Sequence, residues 1–294
     1  TKTAKITNGD QTSDLQASSL INFNQQIEAQ YIRNSGWNYT SSSSYITLSF
    51  WVRASVEQNY HGFVKTADGT NYVYPYETGT LSANTWTKIT KSIPGNSNLT
   101  IDDDNGSGFQ VFPIFFAGTN YTSSSVTNNA WATWSSAGRS KDQTATWYET
   151  NDSTLEITGV QFEVGSVATP FEHRSFGEEL LRCQRYYQEV GMSVQMAGGS
   201  SGSSAIGNVN VPIACAMRAA PTVASGITYY MWHGNNDGKN NNGTAMTIQS
   251  YGTSNPEHST ALKGNITGFS GVTDNRSGSV CANSGTNIKM DSEI

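Results

Sequence analysis

Charged residues are scarce in this chain: Asp, Glu, Lys and Arg together make up 14% of its 294 residues. The 17 Lys and Arg residues are outnumbered by 23 Asp and Glu residues, which gives a formal net charge of -6. Proteins that bind nucleic acids contact phosphates through clustered basic side chains, so no nucleic-acid partner is expected. No apolar run approaches the length of a bilayer span, so no membrane insertion is expected.

Cysteine is rarer still, with only Cys183, Cys215 and Cys281 at wide spacing. An odd number at such spacing indicates neither a disulfide framework nor a metal-ligand pair, and it favours free thiols in a protein made in a reducing cytoplasm. The four histidines, at positions 61, 173, 233 and 258, are scattered. The acidic segment 102–108 does not follow the EF-hand pattern, because its sixth position is Ser107 rather than Gly. We expect no metal and no cofactor.

Motifs of catalysis are missing too. The sequence has no nucleophile elbow, zincin motif or phosphate-binding loop. It also has no long β-helix repeat, which polysaccharide-cleaving tailspikes usually need. The prediction is that the protein is not an enzyme.

Aromatic residues, at 11% of the chain, are abundant by contrast and favour a packed β protein. Residues 45–55, "YITLSFWVRAS", alternate apolar and polar positions, with Ile46 to Val52 on one face. Residues 108–118, "GFQVFPIFFAG", are apolar in both phases, which predicts a central strand with an irregularity at Pro113. In "STLEITGVQFEVGS" the apolar phase flips at Gly159, as it does at a β-bulge. Together these patterns indicate a β-sandwich.

The chain from about residue 191 also has β character. Apolar residues alternate through "NVNVPIACAM", from Val209 to Met217. The segments "GITYYMWH" and "TAMTIQSYG" are predicted to form a strand pair joined by the turn-rich tip "GNNDGKNNNG". A smaller C-terminal β-sandwich is therefore expected.

Between these two regions lies "FEHRSFGEELLRCQRYYQ", residues 171–188, where ionisable residues are concentrated. Ser175 and Glu178 have the spacing of a capping box at a helix N-terminus. The neighbouring acids 178 and 179 point about 100° apart on a helix, so they do not converge as a catalytic pair. The segment therefore predicts a capped connector helix rather than an active site. Its apolar stripe is predicted from four residues: Phe176, Leu180, Cys183 and Tyr187.

The segment from 157 to 188, "ITGVQFEVGSVATPFEHRSFGEELLRCQRYYQ", resembles the end of the carbohydrate-binding-module-like domain of many bacteriophage tail fibre and tail appendage proteins. Upstream, "LSFWVRAS", "NTWTKITKSIPG" and "DDDNGSGFQVF" are similar to inner strands of that domain in the same order. Downstream, "VPIACAMRAAPTV" and "MDSEI" resemble parts of C-terminal tail fibre domains. The resemblance covers residues 20–223, and the last seventy residues more loosely.

The resemblance implies an all-β organisation of three parts: a jelly-roll-like β-sandwich over residues 1–170, a short connector helix within 171–190, and a smaller C-terminal β-sandwich domain over 191–294. It further implies a virion tail appendage, assembled in the host cytoplasm, that contacts the bacterial surface as a homotrimer. The expected partners are a bacterial surface polysaccharide and other virion tail proteins. The four residues of the apolar stripe are the expected trimer interface, with burial against the chain's own domains as the alternative.

Glycan recognition requires aromatic faces beside polar groups that hydrogen-bond sugar hydroxyls. Two loop regions offer both kinds of residue, although core packing under a long loop would explain the first and simple soluble turns the second. The candidate carbohydrate-binding residues are Tyr121, Asn129, Trp131, Trp134 and Arg139 in the first region, and Trp232, His233 and Asp237 in the second.

Two other functions remain open from the sequence. The chain could be an architectural virion component, such as a head fibre, capsid decoration or tail structural protein, that binds other virion proteins. Such a role needs an apolar or shape-matched protein interface rather than a wet aromatic and polar cleft. The third hypothesis is the carbohydrate-binding part of a cellular or prophage-encoded enzyme, which a longer parent chain with a catalytic domain would support.

Overall fold

The computed structural model describes residues 2–10, 15–191, 196–200, 206–225, 227–233, 242–243, 245–248, 261–268, 277–282 and 287–293. Within these residues the protein is all-β, with antiparallel sheets and a few short helices, as predicted. The chain divides into two compact units, Thr1–His173 and Arg174–Glu293. The helix of the predicted connector belongs to the second unit. In the described part of the chain, no helix has the length and apolar character needed to cross a membrane.

The first unit is a β-sandwich of a four-stranded and a five-stranded sheet. Its strands are β1 (Ala4–Thr7), β2 (Leu20–Glu28), β3 (Tyr45–Ala54), β4 (Gln58–Thr66), β5 (Tyr72–Leu81), β6 (Thr87–Pro94), β7 (Ser107–Ala117), β8 (Ala132–Thr133) and β9 (Thr154–Val164). Its helices are α1 (Ala29–Arg33), α2 (Thr146–Glu149) and a 3₁₀ turn at Ser136–Gly138. The sheet orders are β1-β9-β3-β6 and β2-β7-β4-β5-β8, so strands distant in sequence lie side by side.

The core of the first unit lies between these two sheets and follows from strand periodicity. In β3, Leu48, Phe50 and Val52 are buried in this core, whereas Trp51 points to the other side and is 42% exposed. The alternation predicted from the sequence is thereby confirmed. Since successive side chains of a strand point to opposite faces, one apolar phase is enough to bury this strand against the opposite sheet.

The β-bulge predicted at Gly159 from a phase change and the irregularity predicted at Pro113 are both present. The pairing of β3 with β9 shifts register between Ser49 and Trp51, opposite Gly159, whose φ of 60° lies in the left-handed region. The pairings of β7 with β2 and with β4 also shift beside Pro113. A bulge adds one residue to one strand, which moves the following side chains to the opposite phase. Phe109 and Ile114 consequently reach the same core from positions of opposite parity.

The second unit contains a three-stranded and a seven-stranded antiparallel sheet. Its elements are α3 (Phe176–Gln184), β10 (Tyr187–Val190), β11 (Met196–Ser200), β12 (Ile206–Pro212), β13 (Thr222–Val223), β14 (Tyr229–His233), β15 (Asn242–Gly243), β16 (Ala245–Ile248), β17 (Ala261–Thr267), β18 (Ser277–Ala282) and β19 (Ile288–Asp291). The sheet orders are β10-β19-β13 and β15-β14-β18-β11-β12-β17-β16. Val211, Met217, Ile266 and Met290 are among its buried core residues.

The predicted pairing of the segments "GITYYMWH" and "TAMTIQSYG" was wrong. Strand β14 pairs with β18 and with the short β15, while β16 pairs with β17. The two segments are close in sequence, and consecutive strands usually pair, which suggested a hairpin. In the structure, however, β14 pairs with β18 and β16 pairs with β17, both of which lie later in the chain.

Helix α3 begins with the predicted capping box. Ser175 Oγ accepts a hydrogen bond from the Glu178 backbone N–H, and the Glu178 carboxylate accepts one from the Ser175 backbone N–H, at 3.3 and 3.0 Å. The predicted stripe was wrong in its last member, because the helix ends at Gln184 and Tyr187 is the first residue of β10. The cause is the pairing of β10 with β19, which draws the chain into an extended conformation.

Candidate functional site

Strand β4 directs alternate side chains to the two sides of the five-stranded sheet. Tyr60 and Val64 belong to the core of the first unit. His61 and Phe63 have the opposite phase and therefore point to the side of this sheet that faces away from the core, which we call the outer face. The outer face has its own small hydrophobic cluster, which includes Phe63.

Neighbouring strands extend the outer face on both sides of β4. On β7, Phe112 lies opposite Phe63, and on β5, Glu77 lies opposite His61. Lys65 follows Phe63 in the same phase, so by strand rise the row from His61 to Lys65 spans about 13 Å. The outer face is therefore an elongated strip with a polar end at His61, an aromatic centre at Phe63 and a cationic end at Lys65.

The aromatic centre consists of four rings. Phe63 stacks on Phe112 with ring centroids 4.1 Å apart and meets Phe115 edge-on at 5.1 Å. Trp134, which follows β8, lies 6.0 Å from Phe63. Phe63 and Phe115 are buried, whereas Phe112 and Trp134 are half-buried. Half-buried rings of this kind are suited to packing against the C–H faces of sugar rings.

The loop segment 118–145 brings further residues to the outer face. Thr122 and Ser140 form a parallel bridge, which brings the residues before them, Tyr121 and Arg139, side by side. The Arg139 guanidinium accordingly lies 4.4 Å from the centroid of the Tyr121 ring. The bridge thus fixes a cation–aromatic pair in a loop that has little regular structure.

Two cations meet at Trp134. The Arg139 guanidinium is 5.0 Å from the centroid of the indole and Lys65 Nζ is 4.6 Å from it. Both are attracted by the negative face of the ring, an interaction that strengthens with desolvation. Burial lowers the pKa of Lys65, and the positive charge of Arg139 lowers it further.

The polar end is a small hydrogen-bonding group. Asn59 Nδ2 donates to Glu77 Oε2 at 2.7 Å, and this bond, with the nearby charges of His61 and Lys141, holds the pKa of Glu77 below its ordinary value. Burial lowers the pKa of His61, which favours the neutral imidazole. Among the described residues, His61 Nδ1 and Asn59 Oδ1 have no hydrogen-bond partner. Both atoms are buried, so the polar group presented at this end of the outer face is the Glu77 carboxylate.

Three of the residues predicted from the first loop, Tyr121, Trp134 and Arg139, come together on the outer face. Trp131 instead packs on the core side: its ring lies 5.3 Å from that of Tyr74, and its indole N–H donates to the Pro94 carbonyl at 2.7 Å. This is the core packing that the sequence left as the alternative.

Asn129 is exposed and has a left-handed φ of 59°. Its backbone N–H donates to the Pro75 carbonyl at 2.8 Å. Asn tolerates this conformation better than most residues. The structure thus gives Asn129 a part in fixing the loop against β5.

Sequence reasoning did not single out the strand residues of the outer face: Asn59, His61, Phe63, Lys65, Glu77 and Phe112. The available signal was the segment 59–65, "NYHGFVK", in which one phase carries an amide, an imidazole, a ring and an ammonium group. A phase of this composition is unusual for a strand that is packed on both sides.

The candidates in the second unit are placed only in part. Trp232 and His233 lie on β14, in register with Ser279 and Gly278 of β18. Asp237 lies outside the described residues. The structure therefore places two of these residues on one strand and does not assemble a site from them.

Another aromatic patch lies on the opposite sheet. Trp51 is partly exposed there, and the Arg53 guanidinium lies 5.2 Å from the centroid of the Trp86 ring. Here the arginine is already neutralised, because its Nη2 contacts both oxygens of Glu156 at 2.7 and 2.9 Å. In this patch the charge of Arg53 is therefore balanced by Glu156 and is not left uncompensated for a ligand.

A cavity of about 200 Å³ lies inside the first unit, between β2, β7 and β9. Its apolar lining includes Phe23, Ile27 and Phe162, with Asn24 and Gln25 as polar contributors. Small-molecule pockets typically measure about 300–1,000 Å³. The cavity is smaller than that range, which makes the outer face the stronger candidate for a ligand site.

The acidic segment near residue 103 is held by hydrogen bonds to helix α1 and to the residue that follows it. Asn34 Nδ2 donates to Asp103 Oδ1 at 3.0 Å, and the Asp104 carbonyl accepts from the Gln30 backbone N–H at 2.9 Å. These bonds tie the turn before β7 to helix α1. In the part of the chain that the structure describes, no group of three or more His, Cys, Asp or Glu side chains is arranged to hold a metal ion.

Helix α3 has no buried residue. Phe176 is 82% exposed, and Leu180 and Leu181 are 42% and 52% exposed. Cys183 is an exposed free thiol. An amphipathic helix of nine residues has little stability in water without a packing partner.

Comparisons of this chain with protein-family models, with curated proteins and with solved structures found no match.

Proposed function

We propose that this chain is a non-enzymatic component of a bacteriophage virion, a tail fibre or related tail appendage, that attaches to a bacterial surface glycan through the outer face. The observation that carries the proposal is the half-buried aromatic centre at Trp134 and Phe112, with a polar end at Glu77 and a cationic end at Lys65. The sequence resemblance to tail appendages supports the virion context.

The chemistry of the outer face suits a carbohydrate. Sugar rings carry apolar C–H faces that pack on aromatic rings and hydroxyls that need hydrogen-bond partners. The outer face offers Phe112 and Trp134 for the first purpose, and Glu77 for the second. Its length of about 13 Å gives room for more than one sugar residue. Multivalent display on a virion raises avidity without further contacts.

Trp134→Ala is expected to weaken glycan binding at least about tenfold, because loss of an aromatic anchor at a binding hot spot costs about 2 kcal/mol or more. The measurement is adsorption of the labelled protein to a panel of bacteria, with and without competing polysaccharide extracted from each strain. Trp51→Ala is the matched control, since Trp51 is a partly exposed tryptophan on the opposite sheet. Binding should be saturable, competed by the polysaccharide and insensitive to the control.

No saturable adsorption to any strain of the panel would overturn glycan attachment. Equal losses with Trp134→Ala and Trp51→Ala would overturn the assignment of the outer face. Far-UV circular dichroism of both variants excludes unfolding as the cause.

We also propose that the chain forms a homotrimer through α3. The exposed apolar residues Phe176, Leu180 and Leu181 support this, since burial against symmetry-related copies would remove them from water. The apolar stripe retains Phe176, Leu180 and Cys183 of its predicted members, without Tyr187.

The double variant Phe176→Glu/Leu180→Glu is expected to convert a three-chain species into single chains, because it places carboxylates in the apolar contact of every copy. Light scattering coupled to gel filtration measures the mass. The matched control is Leu20→Glu/Val167→Glu, whose exposed fractions of 41% and 74% are similar to those of Leu180 and Phe176. A single-chain mass for the unmodified protein, or an unchanged mass for the helix variant, would contradict the proposal.

The exposed face of α3 also supports a second candidate function, an architectural virion component that binds another virion protein. The adsorption experiment above, together with a measurement of how much of the helix variant is incorporated into virions, separates the candidates. An architectural protein would show no polysaccharide-competed adsorption, and its helix variant would lose incorporation into virions rather than cell binding.

A further inference from the structure

The cationic end of the outer face contains two positive charges that share one aromatic ring. Lys65 and Arg139 lie 4.6 and 5.0 Å from the centroid of the Trp134 indole. Arg139 also lies 4.4 Å from the ring of Tyr121. Both cations are half-buried, so water screens their mutual repulsion less than it would on an open surface.

Neither cation is neutralised by the protein. Within the described residues, no carboxylate lies within 4 Å of the Lys65 or Arg139 charge, and Arg139 Nε is buried without a hydrogen-bond partner. Two carboxylates of this region have other partners: Glu77 on the outer face accepts from Asn59, and Asp142, three residues after Arg139, accepts from Thr122.

Arg53 on the opposite sheet provides an internal comparison. It also lies over an indole, that of Trp86, but it makes two short contacts with the Glu156 carboxylate. Among the described residues of the first unit, the same motif of an arginine on a tryptophan therefore occurs once with a carboxylate and once without. A desolvated, uncompensated cation pair costs free energy that an anionic ligand would recover.

We propose that the outer face recognises an acidic saccharide, a glycan in which a sugar residue carries a carboxylate. This inference rests on the proposed glycan-binding function. The carboxylate contacts Arg139 and Lys65, since a guanidinium matches a carboxylate in geometry and forms charge-assisted hydrogen bonds with it. The adjoining ring packs on Phe112 and Trp134.

The two ends of the strip give the bound glycan a direction. At the polar end, the Glu77 carboxylate is an acceptor and therefore selects hydroxyl donors. A second carboxylate placed there would face Glu77 and be repelled. The outer face is thus expected to bind a saccharide with alternating acidic and neutral sugar residues more tightly than a saccharide in which every sugar residue is acidic.

The test uses fluorescently labelled acidic capsular polysaccharides, each in native form and after carbodiimide–borohydride reduction of its carboxylates to neutral hydroxymethyl groups. The native form is expected to bind at least about tenfold more tightly than the reduced form, because charge-assisted hydrogen bonds are lost on reduction. Rising salt concentration should weaken binding of the native form and leave that of the reduced form nearly unchanged.

Arg139→Gln and Lys65→Gln are each expected to weaken binding of the native form about tenfold while leaving the reduced form within about twofold. Lys5→Gln, which removes one exposed positive charge from β1, is the matched control and should change neither. Lys65→Gln keeps the test informative if Arg139→Gln disturbs the loop.

The possible failures are distinguishable. Equal binding of native and reduced polysaccharides, or unchanged binding by both charge variants, would overturn the acidic-saccharide inference and leave glycan attachment standing. Absence of binding to every polysaccharide in both forms would overturn the proposed function itself.

Discussion

Trp147→Ala is expected to lower the free energy of unfolding of the first unit by about 3–5 kcal/mol, the range for truncating a buried tryptophan. Trp147 is fully buried, and its ring lies 5.5 Å from that of Phe116. Its indole N–H also donates to the Thr154 carbonyl at 3.1 Å. Truncation therefore leaves a cavity and removes one of the two hydrogen bonds that the Thr154 carbonyl accepts, the other being from the Ser55 backbone N–H. Denaturant unfolding followed by tryptophan fluorescence measures the loss, since six of the seven tryptophans precede residue 148.

Trp51→Ala provides the comparison for this experiment. Trp51 is 42% exposed on β3, so its truncation is expected to cost about 1 kcal/mol or less. Similar losses for the two variants would contradict the described burial. A small loss for Trp147→Ala would show that the core of the first unit does not depend on α2.

Gly62→Ala is expected to destabilise the first unit by about 1–3 kcal/mol through overpacking. A Cβ at this position would lie 2.5 Å from the Pro113 carbonyl oxygen and 2.5 Å from the Tyr76 hydroxyl. That hydroxyl donates to the Pro113 carbonyl at 3.0 Å. Gly62 therefore permits the close approach of β4 to the bulge in β7. The measurement is the same denaturant titration.

The Gly62→Ala change should also weaken glycan binding, because the bulge that it displaces orients Phe112 against Phe63. Gly177→Ala is the control, since a Cβ at Gly177 in α3 meets nothing within 4 Å. It should leave the transition of the first unit unchanged. A Gly62→Ala protein with full stability and full binding would contradict the role given to this close approach.

Much of the first unit was predictable because burial of a strand has a period of two. The alternation of β3 and the bulge at Gly159 follow from the phase of apolar residues, and the irregularity at Pro113 follows from the missing backbone N–H of proline. The capping box at Ser175 was predictable for a related reason, since both of its partners lie within one helical turn. These features depend on neighbours in sequence.

Features that depend on distant partners were not predictable. Trp131 and Trp134 occupy similar loop sequence, and the contact that separates them is a hydrogen bond from Trp131 to the carbonyl of Pro94. The sequence spacing of Tyr187 continues the apolar stripe of the helix, but pairing with Asp291 places Tyr187 in strand β10. Likewise, Lys65 shares the outer face with Arg139 only because the loop folds back over β4.

The opposite placements of Trp131 and Trp134 also bear on how such a surface can evolve. Trp131 holds one part of the loop against the core through its hydrogen bond to Pro94. The Thr122–Ser140 bridge holds the two ends of the loop together. Residues 124–127 between these contacts are mostly exposed. Insertions and substitutions there are expected to leave the core intact. They therefore change the free energy of unfolding of the first unit little, and loss of stability does not select against them. The sequence of this part of the loop can thus vary while the β-sandwich that carries it stays the same.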